Sequence, residues 1–335
     1  MKIIEKLSEV NINQESFPIF FWDKWRIVEE VLHHKQRLLC SDEDNNIVAF
    51  TVYKMRFFKK ADYLYVPLDK NGNRLLVEKE KSFLEEFHNY LRMNNIADAI
   101  FPPSHIVVFN AIPSRSIYYE FGIMASDLTL TEEELLKKSR PNTRNEIRKA
   151  NSYGVEVKFG RDYIDDFYKC FQLTVKQKRF DAQSKEYFNE MSKLLGDNVE
   201  VGVAYFNDSL ESAEFSIFDN KNIYVLYAGT SFTPCYKGSN KFLIWNLFMN
   251  CKLKGIENLL YGGYRYGLDE TDPLYHVQKF KKHLGVDVID GYHFIKVLNP
   301  LKYNFVNFAL KCKSLITGRN YSFLNLSGLN IKESK

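Results

Sequence analysis

A chain of 335 residues is longer than one ordinary hydrophobic core supports, so its length favours two domains. Hydrophobic residues make up 45% of the chain and charged residues 26%, which is typical of a soluble globular protein. A net charge of only +4 excludes a global basic field, so any polyanion must be bound by local basic clusters.

The chain carries no sign of a metal centre, a disulfide framework or a membrane span. Its five cysteines contain no CxxC pair, and its seven histidines show no spacing typical of metal ligands. Residues 1–10 have neither a basic region nor an apolar core of a signal peptide, and no run approaches the roughly 18 apolar residues of a membrane helix. We therefore expect reduced thiols, no metal and a cytoplasmic protein.

The first half of the chain has the pattern of an α/β domain. A helix is predicted over Phe20–His34, and a second helix, with Leu, Phe and Tyr at helical spacing, over Leu75–Met93. Strands are predicted at Arg37–Cys40, Ile47–Arg56, Tyr63–Val66 and Ala97–Phe101, with a hairpin turn at Asp44–Asn46.

The second half repeats this order at nearly the same intervals. Two strands, Val199–Phe206 and Ala213–Phe218, flank a turn, and a third follows at Ile223–Ala228. A helix containing Trp245 ends before Gly255, and a strand returns at Asn258–Tyr261. A strand, a helix and a second strand in about forty residues predict a crossover with two parallel strands, and the repeated order predicts a duplicated domain.

In acetyltransferase-type folds, the loop before such a crossover helix holds the pyrophosphate of coenzyme A with its backbone N–H groups. That loop usually reads Gln or Arg, two residues, Gly, one residue, then Gly or Ala. The corresponding stretch here, Pro234–Asn240, has a single glycine. The fold signal is present, and the coenzyme A signal is weak.

Two basic clusters follow the first half. Pro141–Ser152 is predicted to be a helix in which Arg144 and Arg148, four residues apart, project together as a cationic stripe suited to phosphate. Lys176, Lys178 and Arg179 end a helix that begins near Asp165 and are candidates for a phosphate clamp. The structural alternatives are a solvated interdomain helix for the first cluster and stabilisation of a helix dipole for the second.

Four stretches in this order make the chain resemble the FemABX peptidoglycan aminoacyltransferases. They are Ser139–Ala150, then Glu186-Tyr187-Phe188, then Tyr224–Ala228 with the Trp245 helix, and finally Gly262-Gly263 running on to Phe280-Lys281. The resemblance implies an α/β fold with mixed sheets and two tandem GNAT-like domains related by duplication. It places an N-terminal domain at residues 1–138, a C-terminal domain at 139–298 and a basic extension at 299–335.

The resemblance also implies site residues. Arg26 matches one basic residue that holds the diphosphate of a nucleotide-linked precursor, whereas the second such position falls on Gln183, with Lys178 or Arg179 as substitutes. Phe280 would pack against the terminal adenosine of tRNA or the acceptor, and Lys281 would stabilise negative charge on the ester carbonyl. The resemblance also assigns five residues to substrate binding, namely Arg144, Arg148, Tyr227, Gly262 and Gly263. The alternative for Lys281 is a surface lysine beside a core phenylalanine.

The implied activity is transfer of an amino acid from aminoacyl-tRNA to the peptide amine of a UDP- or lipid-linked muropeptide, without a cofactor. One alternative keeps the fold and uses acyl-CoA to acylate an amino sugar of a surface polysaccharide. Another is a non-catalytic binder of RNA or of a glycan precursor. The basic amphipathic stretch Asn299–Asn320 either lies on an anionic membrane surface or caps the fold.

Overall fold

A computed structural model describes residues 1–103, 106–178, 182–231, 233–236, 238–317, 321 and 329–334, without the side chains of Gln177 and Lys178. The chain forms two compact units. The first contains Met1–Gly122, Gly263–Leu268 and Asp290–Lys335, and the second contains Ile123–Gly262 and Asp269–Ile289. The domain boundaries expected from the sequence, 1–138, 139–298 and 299–335, stay a prediction.

The chain contains both helices and strands in each half. The helices are α1 (Asp23–Leu32), α2 (Val77–Met93), α3 (Glu132–Lys138), α4 (Pro141–Ser152), α5 (Ile164–Lys178), α6 (Lys185–Leu195), α7 (Ser239–Leu253), α8 (Pro273–His283) and α9 (Pro300–Thr317). The strands are β1 (Lys2–Ile4), β2 (Gln36–Ser41), β3 (Ile47–Met55), β4 (Phe58–Tyr63), β5 (Ala99–Phe101), β6 (Ile117–Asp127), β7 (Glu156–Phe159), β8 (Val199–Phe206), β9 (Ser209–Phe218), β10 (Asn222–Thr230), β11 (Asn258–Tyr264), β12 (Asp287–Val297) and β13 (Lys332–Glu333).

The first unit is built on strands in the order β1-β2-β3-β4-β5-β12-β6, with β13 paired to β6. Strands β1 to β4 pair antiparallel, and β5 lies parallel to β4 after the crossover through α2. A cluster of rings fills its core, where Tyr63 contacts Phe109 and Phe294, and its hydroxyl lies 2.6 Å from His88 Nε2. Burial lowers the pKa of His88 well below its usual value, so the imidazole is neutral.

The second unit repeats this topology in the strand order β6-β11-β10-β9-β8-β7. Strands β7 to β10 pair antiparallel, and β11 lies parallel to β10 after the crossover through α7. The core again consists of packed rings, in which Phe188 contacts Phe167 and Phe171 edge-on and Phe215 at a tilt. The predicted parallel crossover and the predicted mixed α/β class are both confirmed.

Residues with a left-handed backbone conformation, in which φ is positive, form the hairpin turns that the sequence predicts. Asn45 between β2 and β3 has φ +60°, and Asn207 and Asp208 between β8 and β9 have φ +48° and +60°. Asn and Asp tolerate this conformation better than most residues, and it matches the twist of paired strands. The strand predicted at Tyr63–Val66 is wrong, because Arg56, with φ +56°, turns the chain early and the strand is Phe58–Tyr63.

A row of polar side chains lies inside the second unit on β9. The row consists of every second residue of this part of the strand, namely Ser212, Glu214 and Ser216, and all three are buried. Helix α7 packs on β9 and on its neighbour β8. Burial raises the pKa of Glu214 to about 8, with a further contribution from the neighbouring Glu200 carboxylate. Within the described residues, Glu214 Oε1 has no hydrogen-bond partner. The folded protein therefore holds Glu214 in its neutral form at neutral pH.

We expect Glu214→Gln to stabilise the protein at alkaline pH. Unfolding releases the carboxyl to its ordinary pKa of 4.5, whereas the folded state keeps it protonated up to about pH 8. The contribution of this group to the free energy of unfolding is therefore largest below pH 4.5 and falls as the pH rises to about 8. The slope is at most about 1.4 kcal/mol per pH unit.

Urea unfolding of both proteins at several pH values measures this effect. The difference in free energy of unfolding between Glu214→Gln and the wild type should grow in favour of the variant as the pH rises. The exposed carboxylate Glu156 on β7 supplies the control, since Glu156→Gln should change stability little at any pH. A difference for Glu214→Gln that does not change with pH would contradict a neutral buried carboxyl.

Candidate functional site

The parallel pairing of β10 with β11 in the second unit covers only part of each strand, and we call the unpaired stretch beyond it the opening. The paired residues of β10 and β11 run from Asn222 with Asn258 to Tyr224 with Leu260. Both strands continue beyond this pairing, β10 to Thr230 and β11 to Tyr264. A register irregularity between Val225 and Tyr227 bends β10 where this pairing stops. The carboxyl ends of parallel strands commonly form ligand sites in such folds, so this opening is the candidate site.

Lys281 on α8 contacts β11 at this opening. Its Nζ donates a hydrogen bond to the Tyr261 carbonyl and lies 4.4 Å from the centre of the Tyr261 ring. Gly262 follows with φ +87°, a conformation that favours glycine, and a Cβ there would lie 3.3 Å from Lys281 Nζ. The ammonium group is thus held against the backbone of β11 by a hydrogen bond and a cation–π contact.

The remaining predicted residues of this region surround Lys281. Phe280 precedes it on α8 and is half-buried, and Gly263 follows Gly262 in β11, where the boundary between the two units falls. Asp272 caps the start of α8 by accepting from the Leu274 N–H at 2.8 Å, and Asp269 accepts from the Thr271 N–H at 2.8 Å. Both carboxylates therefore take part in local structure.

The basic helix α4 begins against the end of α8. The Ser139 hydroxyl donates to the Leu284 carbonyl at 2.8 Å, and the Arg140 N–H donates to the His283 carbonyl at 2.9 Å. Gly285 makes this approach possible, because a Cβ there would lie 2.8 Å from the backbone carbonyl carbon of Lys138. Burial and then the Arg140 guanidinium lower the pKa of His283. The first stretch of the family resemblance is therefore joined to the last one.

The two arginines of α4 differ in their surroundings. Arg144 Nη1 donates to the carbonyls of Lys137 and Ser139 at 3.0 and 2.9 Å, so its guanidinium caps the end of α3. Arg148 is exposed on the same helix. Arg144 thus stabilises the end of α3. Phosphate binding by Arg144 or Arg148 stays a prediction.

Tyr227 joins the second and third stretches of the resemblance. Its hydroxyl donates to the Tyr187 hydroxyl at 3.4 Å, and its ring lies 5.0 Å from that of Phe188. Burial raises the pKa of Tyr227. The Tyr-Phe pair of the motif therefore packs against the strand that borders the opening.

The other predicted binding residues cannot be joined to this group. Arg26 lies on α1 of the first unit, where its Nη1 donates to Glu30 Oε1 at 2.9 Å. Lys178 is the last residue of α5, but its side chain lies outside the described residues, as does the whole of Arg179. Gln183 is exposed before α6. Diphosphate binding by these residues stays a prediction.

Sequence reasoning missed Glu211 on β9, whose side chain reaches the turn before α7. Its two carboxylate oxygens accept from the N–H groups of Cys235 and Tyr236 at 3.0 and 3.1 Å, and the Ser239 hydroxyl lies 3.5 Å away. Glu211 is buried, and its own carbonyl accepts from the Ser231 N–H at 2.8 Å. An internal carboxylate thus accepts from two N–H groups of the stretch that corresponds to the pyrophosphate-binding loop of acetyltransferase-type folds. No local motif could have revealed it, because Glu211 lies on the preceding hairpin.

Within the described residues, no group of three or more His, Cys, Asp and Glu side chains is arranged to hold a metal ion. No helix of the described chain has both the length and the apolar character that crossing a bilayer requires.

The FemAB family model matches residues 114–210 of this chain. The matched segment includes α4 and the Tyr187-Phe188 pair, which carry two of the four stretches of the resemblance. The resemblance to this family is therefore confirmed. No protein with a curated description matches the sequence.

Solved structures share the fold at low sequence identity. FemX is 12% identical with a TM-score of 0.69, over 91% of this chain and 100% of FemX. The C-terminal domain (DUF2156) of a putative lysylphosphatidylglycerol synthetase from Agrobacterium fabrum is 12% identical with a TM-score of 0.52, over 88% and 96% of the chains. A protein of unknown function from Bacteroides thetaiotaomicron is 12% identical with a TM-score of 0.51, over 85% and 90%. The predicted class of two tandem GNAT-like domains is confirmed.

We expect Glu211→Ala to loosen the turn before α7. Removing the carboxylate leaves the N–H groups of Cys235 and Tyr236 without their acceptor, which should lower the free energy of unfolding by about 1–3 kcal/mol. Hydrogen exchange of these two amides should accelerate, while Glu211→Gln, which keeps one acceptor oxygen, should change both measurements less. Unchanged protection of both amides in Glu211→Ala would contradict the role of this carboxylate.

Proposed function

We propose that this protein transfers an amino acid from aminoacyl-tRNA to the peptide amine of a UDP- or lipid-linked muropeptide in peptidoglycan synthesis. The match of residues 114–210 to the FemAB family supports a transferase. The fold shared with FemX agrees with that class. The donor and the acceptor are the finer parts of the proposal, and each has its own support.

The choice of donor rests on the hydrogen bonds that the Glu211 carboxylate accepts. A coenzyme A pyrophosphate would need N–H groups of the turn before α7, and the Glu211 carboxylate already accepts from two N–H groups of this turn, those of Cys235 and Tyr236. A second anion at the same place would be repelled by the buried carboxylate. This arrangement supports aminoacyl-tRNA, which carries an activated ester, over acyl-CoA as the proposed donor.

Lys281 supplies the charge that such a reaction needs. The acceptor amine attacks the ester carbonyl, the C–N bond forms, and the carbonyl oxygen becomes an oxyanion. The C–O bond to the tRNA ribose then breaks, and the amine loses a proton as the ribose hydroxyl is restored. The Lys281 ammonium, held at the Tyr261 carbonyl beside Gly262, is suited to stabilise that oxyanion. Because the ester is activated, orientation and charge suffice without a protein nucleophile.

The acceptor is proposed from the family resemblance. Arg26 matches one position that holds the precursor diphosphate in the family, and its side chain is partly exposed on α1. Gln183, at the other position, lacks a charge. Arg148, exposed on α4, is a further cation available to a phosphate group. The acceptor is therefore proposed as a class, a muropeptide carried by a nucleotide or by a lipid.

A label-transfer assay tests the proposal. The full chain is incubated with tRNA charged with labelled amino acids plus UDP- or lipid-linked muropeptide, and separately with labelled acetyl-CoA plus amino-sugar nucleotides. We expect label on the muropeptide only in the presence of charged tRNA. Label that arrives only from acetyl-CoA would establish the alternative donor. Binding of either substrate without transfer, over the full set of donors, would identify a non-catalytic binder.

We expect Lys281→Ala to lower kcat by about 10²–10³-fold, as the loss of an oxyanion donor does in acyl transfer. Affinity for the muropeptide, measured by calorimetry, should be unchanged, because Lys281 acts on charge that develops during the reaction. The exposed neighbour Lys282 provides a matched control, and Lys282→Ala should keep kcat near the wild-type value. Equal losses in both variants would point to a general effect of positive charge and exclude a specific role for Lys281.

A further inference from the structure

Helix α9 in the first unit is anchored on one side. Tyr303 and Val306 pack against a buried cluster made of Phe58, Ala99, Phe101 and Ile295. Lys302 pairs with the buried Asp98 at 3.0 Å, and the Tyr303 N–H donates to the Asn299 carbonyl at the start of the helix. The helix is therefore held on the fold with a fixed side facing outward.

The outward side of α9 is apolar as well. Leu301, Phe305, Phe308 and Leu315 repeat at helical spacing on the side opposite Tyr303 and Val306. All four are exposed, Leu301 and Leu315 by 85% and Phe308 by 67%. An ordinary surface helix would present polar residues here. Contiguous exposed apolar residues mark an interaction surface.

The hairpin between β3 and β4 extends this surface. Phe57 at the tip is 48% exposed, and its ring contacts that of Phe305 edge-on at 5.3 Å. Met55, which ends β3, is also exposed. We call the six residues of this surface the α9–hairpin patch; they are Met55, Phe57, Leu301, Phe305, Phe308 and Leu315.

The exposed charges beside the hairpin tip and on α9 are positive. They are Lys54 and Arg56 at the hairpin and Lys311 and Lys313 on the helix. The hairpin, from Ile47 to Tyr63, has one acidic residue, Asp62, which pairs with Lys35 and Lys60 at 2.9 and 2.8 Å, whereas α9, from Pro300 to Thr317, has no Asp or Glu. Aromatic and aliphatic side chains flanked by cations fit a surface that is apolar inside and anionic at its border. An anionic lipid bilayer has this chemistry.

A second copy of the chain fits the patch less well. A symmetric dimer through this face would bring the Lys and Arg side chains of one copy opposite those of the other, without carboxylates to offset them. Phe and Leu that stand out from the surface suit insertion among lipid chains, with Lys and Arg at the headgroups.

We propose that the α9–hairpin patch docks this protein onto an anionic lipid bilayer, with its phenylalanines and leucines entering the headgroup boundary. The inference goes beyond the proposed transfer reaction, since it requires neither tRNA nor a muropeptide. It assigns α9 two tasks, packing on the core with one side and binding lipid with the other. The protein would thereby work at the surface where a lipid-linked acceptor is found.

Flotation of the full chain with vesicles tests the proposal. The vesicles contain equal parts of phosphatidylglycerol and phosphatidylcholine, or phosphatidylcholine alone, and no muropeptide. Phe305→Ser with Phe308→Ser should lower the partition coefficient on the anionic vesicles by about tenfold or more, since each ring loses its transfer into the apolar boundary. The matched control is Leu76→Ser with Leu253→Ser, two leucines exposed by 83% and 89% outside the patch, which should bind like the wild type.

A charge-reversal variant keeps the test decisive if the apolar substitutions disturb folding. Arg56→Glu with Lys311→Glu changes two exposed cations and should weaken binding to the anionic vesicles most at low salt. Thermal unfolding confirms that each variant is folded. Absence of wild-type binding to the anionic vesicles, or equal binding by the patch and control variants, overturns the proposal. Sedimentation velocity supplies a further test. If the wild type is a dimer and the variant Phe305→Ser with Phe308→Ser is a monomer, the patch binds a second copy of the chain, and the proposal is overturned.

Discussion

The short parallel pairing between β10 and β11 is the constraint on which the second unit depends. Three residue pairs hold the two strands together, and beyond Tyr224 and Leu260 each strand follows its own course. A parallel pair requires a crossover, so α7 must run back along the sheet and start from a turn near the end of β10. The same geometry exposes the carbonyl end of β11, where Tyr261 and Gly262 receive Lys281. The turn and the lysine are thus two consequences of one strand arrangement.

Two groups of opposite charge are held near the parallel strands of the second unit. In the turn before α7, the buried carboxylate of Glu211 accepts from the N–H groups of Cys235 and Tyr236. On β11, the Tyr261 carbonyl accepts a hydrogen bond from the Lys281 ammonium, which also lies over the Tyr261 ring. This contrast supports the proposed ester donor over a thioester carried by a nucleotide, because a carboxylate disfavours a phosphate beside it and an ammonium favours a developing oxyanion.

The two units share one topology and differ in the features that each adds to it. In each, antiparallel strands precede a helical crossover to a parallel strand, through α2 in the first unit and α7 in the second. In the first unit β4 pairs with β3 without an irregularity, whereas in the second β10 is bent between Val225 and Tyr227. The first unit instead carries α9, a helix with one side on the core and an apolar side exposed. Duplication of a fold thus leaves each copy free to acquire its own surface.

Local signals were sufficient for much of this architecture. Pro141 and the cap after Ser152 predicted α4 with the bounds it has, and the Asn-Asp turn predicted the β8–β9 hairpin. Strands β6 and β12 were missed. Much of β6 is buried on both faces and β12 begins with polar residues, so neither shows the alternation that marks a strand. The β4 boundary was wrong because one left-handed residue, Arg56, decided where the chain turned.

The sequence by itself determined the α/β class, the repeated crossover and the family resemblance, since these depend on periodicity, turn residues and order along the chain. Only the tertiary structure decided that Glu211 reaches N–H groups 24 and 25 residues further on, and that Lys281 meets the Tyr261 carbonyl. It also decided that Phe57 and Phe305 form one exposed surface. The physical reason is that a hydrogen bond or a ring contact between distant segments depends on how strands and helices pack, which local patterns of hydrophobicity do not encode.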